Sequence, residues 1–228
     1  MELKGRLKLI ASMVPLCNTM CDIGTDHAYV PIFLVKNKIC NKAIASDLRK
    51  GPVLRAEDNI RDFGMENYIE SRLGNGLEDI SKEEAQTVVI AGMGGVLIEE
   101  ILSRDIEKAK NAVSLILQPM YAIEVVRKWL YENGFSIYDE GLVQEGNKIY
   151  NVIAACWAGK VEKPDPIYYY IGSKLVEKKA PLVVKYINSK IRQTEKIIRG
   201  MKKSENAHIE LKHNIWLRDG LEKLLEEI

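Results

Sequence analysis

The 228-residue sequence lacks any apolar run close to the roughly 18–20 residues that cross a bilayer, so it predicts no membrane span. It is poor in cysteine, and its four cysteines form neither a Cys-x-x-Cys pair nor a disulfide framework, which favours a reduced, cytoplasmic protein. Net charge is almost absent, with 33 basic against 32 acidic side chains, so the chain is not a uniform polycation. Membrane, disulfide-stapled and fully disordered classes are thereby disfavoured.

The small net charge hides an asymmetry along the chain. Residues 1–159 carry 18 basic and 22 acidic side chains, net −4, whereas residues 160–228 carry 15 and 10, net +5. A proline-containing stretch, Lys163-Pro164-Asp165-Pro166, accompanies this change, and no strand pattern follows it. The composition therefore predicts two domains, 1–160 and 161–228.

Short β-rich runs alternate with helical stretches in the first domain. The predicted strands are 17–23, 43–47, 69–73, 87–91, 115–117, 137–143 and 149–157. The predicted helices between these strands are 30–37, 49–63, 94–110 and 121–133. This alternation predicts βαβ units and a parallel sheet. The last two runs are too close together for a crossover helix, so an antiparallel hairpin completes a seven-stranded α/β sheet.

The second domain shows residues at coiled-coil spacing in two stretches, all of them apolar except Thr194. The members are Val184, Ile187, Ile191, Thr194, Ile198 and Met201, then Leu217, Leu221, Leu224 and Ile228. Two helices joined near Ser204-Glu205-Asn206 would pack as an antiparallel helical, coiled-coil hairpin.

Polar residues and glycines stand at the ends of the first two predicted strands. Ligands of open α/β sheets bind outside the carboxyl ends of the strands. Asp22 is placed to bind a ligand amine or to hold its loop, and Gly24 lets the backbone turn tightly. An ordinary turn is the alternative for this segment. Asp47, at the second strand end, has the acceptors to bind both hydroxyls of a ribose.

The third and fourth strands also end in glycine-containing turns. Asn75 and Gly76 follow the third strand, where Asn75 could face an adenine edge. Gly92-Met93-Gly94-Gly95 follows the fourth and would bring the backbone close to a ligand. The Gly-x-Gly pattern is typical of dinucleotide loops, but the third glycine is replaced by Leu97 and the turn follows the wrong strand. An NAD-dependent oxidoreductase is therefore disfavoured.

Three segments, Asp22-Ile-Gly-Thr-Asp-His-Ala-Tyr29, Ala91-Gly-Met-Gly-Gly95 and Leu115-Ile-Leu-Gln-Pro119, resemble the bacterial tRNA (adenine(22)-N(1))-methyltransferases, the TrmK family. The resemblance covers essentially the whole chain. It implies a Rossmann-like, seven-stranded class I methyltransferase domain, S-adenosylmethionine as cofactor, tRNA as partner and a C-terminal coiled coil implicated in tRNA binding. The residues that it assigns to the cofactor are Asp22, Gly24, Asp47, Asn75, Gly76 and Gly92. Those that it assigns to the target base are Asp26, His27 and Tyr29.

Chemistry gives the base-facing residues separate roles. Adenine N1 has an in-plane lone pair that attacks a sulfonium methyl without prior deprotonation, so alignment is the main task. The product ring is cationic, and Asp26 is the candidate for stabilising that charge, while Tyr29 is placed to stack on a flipped-out adenine. The alternative for Asp26 and His27 is an Asx turn with a histidine capping the next helix. The spacing of Asp22, Asp26 and His27 suits a loop better than a metal cage, so no metal is predicted.

The stretch from Lys174 to Lys203 carries ten basic and two acidic residues. Such a stripe supplies phosphate contacts that give affinity without reading sequence. A solvated helix face is the alternative. The candidate tRNA-binding residues are Lys190, Arg192, Lys196 and Arg199.

The sequence thus predicts an S-adenosylmethionine-dependent tRNA adenine-N1 methyltransferase, with no membrane and no obligatory protein partner inferred. Two alternatives stay open at this point: a non-catalytic module that binds adenosine-type ligands or RNA, and an NAD-dependent oxidoreductase. Asp47 is compatible with all three, whereas the Asp26-His27-x-Tyr29 loop has a purpose only in the first.

Overall fold

The computed structural model describes residues 1–201 and 208–228. These form two compact units, Met1–Lys163 and Pro164–Ile228. The predicted connection Ser204–Asn206 and the last two lysines of the basic stretch, Lys202 and Lys203, lie outside the described residues. Within the described part of the chain, no helix is long and apolar enough to cross a membrane.

The first unit is built on a seven-stranded sheet, as the sequence predicts. Its strands are β1 Cys17–Ile23, β2 Cys40–Asp47, β3 Ile69–Leu73, β4 Thr87–Met93, β5 Ser114–Pro119, β6 Phe135–Glu145 and β7 Lys148–Trp157. Their order is β3-β2-β1-β4-β5-β7-β6. The first five strands are parallel, and β7 runs antiparallel to both β5 and β6. The predicted parallel sheet closed by a hairpin is confirmed.

Six helices accompany the sheet: α1 Gly5–Met13, α2 Tyr29–Lys36, α3 Lys50–Asp62, α4 Gly95–Arg104, α5 Ile106–Asn111 and α6 Ile123–Glu132. The single helix predicted over 94–110 is wrong, because the chain leaves the helical conformation at Asp105 (φ −112°, ψ 39°). The Asp105 carboxylate pairs with Lys108 at 3.0 Å, in the first turn of the new helix. An acidic residue is stabilising at a helix N-terminus, which favours a fresh start there.

The core lies on both faces of the sheet. Side chains alternate along β4, so Val89 and its neighbours Val88 and Ile90 point to opposite faces and all are buried. On the Val89 face, α1, α2 and α3 contribute buried side chains such as Ile10 to one continuous cluster. The near-continuous apolar strands reflect this double coverage, which is typical of parallel sheets.

The second unit is helical, with α7 Ile167–Ile171, α8 Ser173–Glu177, α9 Val183–Met201 and α10 His208–Glu227. Asn214 Nδ2 lies 3.8 Å from Met201 Sδ, and Lys179 Nζ lies 3.5 Å from the carbonyl oxygen of Ile228, so α9 and α10 run antiparallel. At the first turn of α9, the buried residues differ from the predicted coiled-coil positions. Val184 is exposed, and Val183 and Tyr186 are buried instead.

Candidate active site

Two cavities open at the carboxyl edge of the sheet, near the point where strand order reverses between β1 and β4. The first, of about 290 Å³, is lined among others by Gly24, Asp47, Asn75, Gly76 and Gly92. The second, of about 460 Å³, is lined among others by Asp22, Asp26, His27 and Tyr29. The residues lining both are Gly24, Arg49, Ala91 and Gly92. The sequence-predicted residues therefore gather in two adjoining cavities with a shared border.

Two glycines shape that border. Gly24 and Gly92 have φ values of +80° and +78°, a conformation that side-chain-bearing residues rarely adopt. A Cβ on Gly92 would meet nothing within 4 Å, so its backbone faces open space, whereas a Cβ on Gly24 would collide with the methyl group of Met93. Backbone atoms of these glycines thus form part of the border that the two cavities share.

Asp47 ends β2 and is buried in the wall of the smaller cavity. Its Oδ1 accepts hydrogen bonds from the backbone N–H of Arg49 at 2.8 Å and from Arg49 Nε at 3.4 Å. The carbonyl oxygen of Asp47 accepts the N–H of Gly74 at 3.0 Å, which ties the ends of β2 and β3 together. The side-chain bonds from described residues all reach Oδ1, so Oδ2 is the oxygen that a ligand hydroxyl can approach.

Asp22 is buried at the end of β1 and lines the larger cavity. The pKa of its carboxyl is raised to about 6, mainly by burial; a hydrogen bond from Thr25 lowers it and the nearby charge of Asp47 contributes to the rise. The charged form is destabilised because the carboxylate has lost its water. A cationic ligand in the cavity would restore a partner for that charge.

Asp26 has the opposite electrostatics. Arg55, on α3, donates to Asp26 Oδ1 through Nε at 3.0 Å and also through Nη2. These hydrogen bonds are the main reason that the pKa of Asp26 is lowered, and His27, whose Nε2 lies 3.4 Å from Oδ2, lowers it further. Asp26 therefore presents an ionised carboxylate at the exposed side of the larger cavity.

His27 and Tyr29 form a stacked pair, with ring centroids 5.1 Å apart and planes within 9°. Asn59 holds the pair by donating to the carbonyl oxygen of His27 at 3.0 Å. The N-cap of α2 is Ala28, in a left-handed conformation, and no side chain caps this helix end. The alternative of a histidine capping the next helix is thus not what the structure shows.

Known proteins are similar to this chain along its full length. Residues 3–153 match a family model described as a methyltransferase domain. The tRNA (adenine(22)-N(1))-methyltransferase of Bacillus subtilis (strain 168) is 32% identical over 232 residues, which cover 100% of this chain and 98% of that protein. The chain belongs to the tRNA (adenine(22)-N(1))-methyltransferase family. The resemblance seen in the three sequence segments is confirmed.

Solved structures agree with this assignment. The crystal structure of the Bacillus subtilis tRNA methyltransferase TrmK is 31% identical, with a TM-score of 0.89, and the match covers 98% of this chain and 99% of that one. A Streptococcus pneumoniae structure in complex with S-adenosyl-L-methionine is 29% identical, with a TM-score of 0.86 and coverage of 96% and 98%. The two alternative functions, a non-catalytic module and an NAD-dependent oxidoreductase, find no support.

Several residues that line or hold the candidate site were not predicted from the sequence. Arg55 and Asn59 reach the larger cavity's loop from α3, about 30 positions further along the chain, and no local pattern marks them. Arg49 borders both cavities, and Arg6 reaches the larger one from α1. Gln118 does carry a signal, because it is a polar residue at the end of the apolar run Leu115-Ile116-Leu117.

Asn75 and Gly76 line the smaller cavity but are also held from outside it. Asn75 Nδ2 donates to Glu78 Oε1 at 3.2 Å, and Arg104 Nη2 donates to the carbonyl oxygen of Asn75 at 2.6 Å. A Cβ on Gly76 would lie 2.6 Å from the same guanidinium. The turn is therefore shaped by α4 as well as by β3.

The four predicted tRNA-binding residues divide into two faces of α9. Arg192, Lys196 and Arg199 are exposed and follow the i, i+4, i+7 spacing of one helix face. Lys190 lies about 200° around the helix from Arg192 and its Nζ sits 5.7 Å from the centroid of the Tyr186 ring. Three of the four residues thus share one surface, and Lys190 is separate.

No group of three or more histidine, cysteine, aspartate or glutamate side chains that could hold a metal ion occurs within residues 1–201 and 208–228. The candidate site consists of the three carboxylates Asp22, Asp26 and Asp47, the stacked His27–Tyr29 pair and a border that contains Gly24 and Gly92.

Proposed function

We propose that the protein transfers a methyl group from S-adenosylmethionine to N1 of adenine 22 in tRNA, in the cytoplasm. The observation that carries the proposal is the shared border of the two cavities, which is formed by Gly24, Arg49, Ala91 and Gly92. One cavity holds a buried carboxylate suited to a ribose, and the other holds an aromatic pair and an ionised carboxylate suited to a purine. Methyl transfer needs these two ligands to meet at one open point.

The smaller cavity fits the cofactor by its own chemistry. Asp47 would accept hydrogen bonds from the ribose hydroxyls, and the open space in front of Gly92 leaves room for a ligand against the backbone. Asp22, which lines the adjoining larger cavity and whose charged form is destabilised by burial, would bind the amino group of the cofactor across the shared border. When bound, the cofactor supplies an electrophilic methyl group on a positively charged sulfur.

The larger cavity fits the acceptor base. The N1 lone pair forms the new N–C bond as the S–C bond electrons return to sulfur, and the adenine ring becomes a cation. Asp26, kept ionised by Arg55, stabilises that charge as it develops. Tyr29, already stacked on His27, offers a preformed aromatic surface for the flipped base. No proton has to leave N1, so the protein mainly aligns the two reactants.

Direct assay of methyl transfer tests the proposed function. The protein is incubated with labelled S-adenosylmethionine and unmodified tRNA, and the modified nucleoside is identified by digestion and mass spectrometry. We expect 1-methyladenosine at position 22. Label at another nucleoside would contradict the proposed target, and cofactor binding without label in tRNA would favour a binding module.

Asp47→Ala is expected to weaken S-adenosylmethionine binding by roughly 1–3 kcal/mol, the usual loss for hydrogen bonds to a charged group. Isothermal calorimetry measures the change. Asp62→Ala, an exposed aspartate at the end of α3, is the matched control and should bind as the wild type does. Unchanged affinity in Asp47→Ala with the fold intact would remove Asp47 from the site.

Cofactor affinity is expected to fall as pH drops below about 6, because the bound amine needs the ionised form of Asp22. In the free protein this carboxyl has a raised pKa, so it binds a proton below about pH 6 and the proton must leave before the amine can pair with it. Affinity should then fall about fivefold between pH 6 and 5, approach a tenfold fall per pH unit below pH 5, and stay nearly constant above pH 7.

The variant Asp22→Asn provides the comparison for this pH profile. Its affinity should be weaker at pH 7.5 and nearly independent of pH. The raised folded pKa also means that Asp22 favours folding in acid, and that this contribution is lost as pH rises from about 4 through 6. Asp22→Asn should therefore unfold at a higher urea concentration than the wild type at neutral pH. If the cofactor affinity of Asp22→Asn still fell below pH 6, the group whose protonation weakens binding would not be Asp22.

We propose that Arg192, Lys196 and Arg199 contact tRNA phosphates. Replacing all three by glutamine should weaken tRNA binding. The slope of log affinity against log salt concentration should become shallower by about two to three units, because each lost contact means roughly one fewer counterion released on binding. Lys190→Gln, on the other side of α9, should change the slope by less than about one unit. Cofactor binding should be unchanged in both. An unchanged slope in the triple variant would make this surface a solvated helix face.

A further inference from the structure

Gln118, at the end of β5, is a buried amide to which the proposed methyl transfer gives no role. It is fully buried and lines the larger cavity, together with Asp22 and Tyr29. Its Nε2 donates to the carbonyl oxygen of Pro119 at 3.1 Å and lies 3.6 Å from Met120 Sδ. Its Oε1 receives no hydrogen bond from any residue in the described ranges. Buried acceptors nearly always have a donor, so this oxygen is a candidate acceptor for a ligand that enters the larger cavity.

The surroundings determine which end of the amide is unpartnered. If the amide were reversed, Oε1 would face the carbonyl oxygen of Pro119, and two acceptors would repel each other. Nε2 is therefore the atom hydrogen-bonded to the carbonyl oxygen of Pro119, and Oε1 is the atom without a hydrogen bond from the described residues. A ligand that matches Gln118 must bring an N–H or O–H group.

The position of Gln118 identifies the part of the base that it can meet. In the parallel pairing of β4 and β5, Gln118 is opposite Ala91. Ala91 and Gly92 line both cavities, so Gln118 lies beside their shared border, where the proposed reaction brings N1 to the methyl group. The group next to N1 on an adenine ring is the exocyclic amino group at position 6, which is a hydrogen-bond donor.

We propose that Gln118 is a specificity-determining residue whose Oε1 accepts a hydrogen bond from the exocyclic amino group of the target adenine. The inference rests on the proposed function. As N1 gains the methyl group, the ring becomes cationic and its amino hydrogens become more acidic, so this bond strengthens in the transition state. Guanine and hypoxanthine carry a carbonyl oxygen at the same position, which would face Oε1 without a hydrogen between them. Gln118 thus selects adenine by the presence of a donor.

Deleting each partner separately tests the contact. Wild type and Gln118→Met, a variant of similar length without the amide, are each assayed with tRNA carrying adenosine or purine riboside at the target position. Purine riboside lacks the amino group but keeps N1. We expect Gln118→Met to lower kcat/KM for the adenosine substrate by about tenfold or more. Replacing adenosine by purine riboside should lower kcat/KM of the wild type by a factor about ten times larger than for the variant. The reason is that the variant has no acceptor to leave unpaired.

Controls separate this contact from folding and from the reaction itself. Cofactor affinity and the urea midpoint should match the wild type, and Gln118→Leu replaces Gln118→Met if the latter unfolds. The N1 atom of purine riboside is less reactive than that of adenosine, which lowers kcat/KM of both enzymes equally. This effect cancels when the loss in the wild type is divided by the loss in the variant. Equal sensitivity of both enzymes to the missing amino group would overturn the proposal. Failure of the proposed function would look different, since the wild type would then form no 1-methyladenosine in ordinary tRNA.

Discussion

Asp26→Asn is expected to lower the turnover number for methyl transfer roughly 100-fold, the loss typical when a preorganised charge partner of the transition state is removed. The substitution keeps the size of the side chain but removes the negative charge that faces the developing adenine cation. Arg55 and His27 hold Asp26 ionised in the wild type, so the charge is in place before the base arrives. Asp26 does not line the smaller cavity, so cofactor affinity should change by less than about twofold.

An equivalent pair elsewhere on α3 gives a matched control for this prediction. Asp58 pairs with Arg61 at 3.2 Å, and both side chains are largely exposed. Asp58→Asn removes the same kind of aspartate–arginine pair without touching either cavity, and should turn over like the wild type. Steady-state kinetics at saturating tRNA compare the two variants. Wild-type turnover in Asp26→Asn would reduce Asp26 to a residue that anchors the loop to Arg55.

Arg127→Met is expected to lower the free energy of unfolding by about 3–5 kcal/mol, because it leaves a buried carboxylate without its charge partner. Arg127, on α6, is fully buried and donates through Nε to Glu140 Oε1 at 2.7 Å. Its Nη2 donates to Asn151 Oδ1 at 3.0 Å, so the guanidinium joins α6 to β6 and β7. Urea denaturation measures the loss.

Two comparisons sharpen this second prediction. Lys128 is the next residue on the same helix, and its Nζ lies 3.9 Å from Glu132 with both side chains exposed. Lys128→Met should therefore change stability by less than about 0.5 kcal/mol. The double variant Arg127→Met/Glu140→Leu removes both charges and should recover most of the loss. A single Arg127→Met variant as stable as the wild type would show that Glu140 is satisfied without the arginine.

The two carboxylates of the larger cavity illustrate how position sets chemistry. Asp22 and Asp26 are four residues apart, yet burial raises the pKa of the first and an arginine lowers the pKa of the second. Oppositely shifted groups in one cavity are typical of functional sites. In the proposed reaction, the first awaits a cationic cofactor and the second stabilises a cationic product.

The sequence by itself determined the architecture and most of the candidate site. Strand and helix periods are local properties, so the seven strands and the hairpin could be predicted without a structure. The carboxyl ends of parallel strands meet at one edge, so Asp22, Asp47, Asn75 and Gly92 were expected together and do lie together. The stop of α4 at Asp105 was missed, because helical periodicity continues across it.

Only the tertiary structure decided the electrostatics and the less local members of the site. Arg55 meets Asp26 because α3 packs on the sheet beside the β1 loop, and no spacing in the sequence encodes that contact. The raised pKa of Asp22 and the unpartnered oxygen of Gln118 both follow from burial. Burial and partners depend on which distant segments cover a residue, and these are consequences of packing that a linear pattern does not contain.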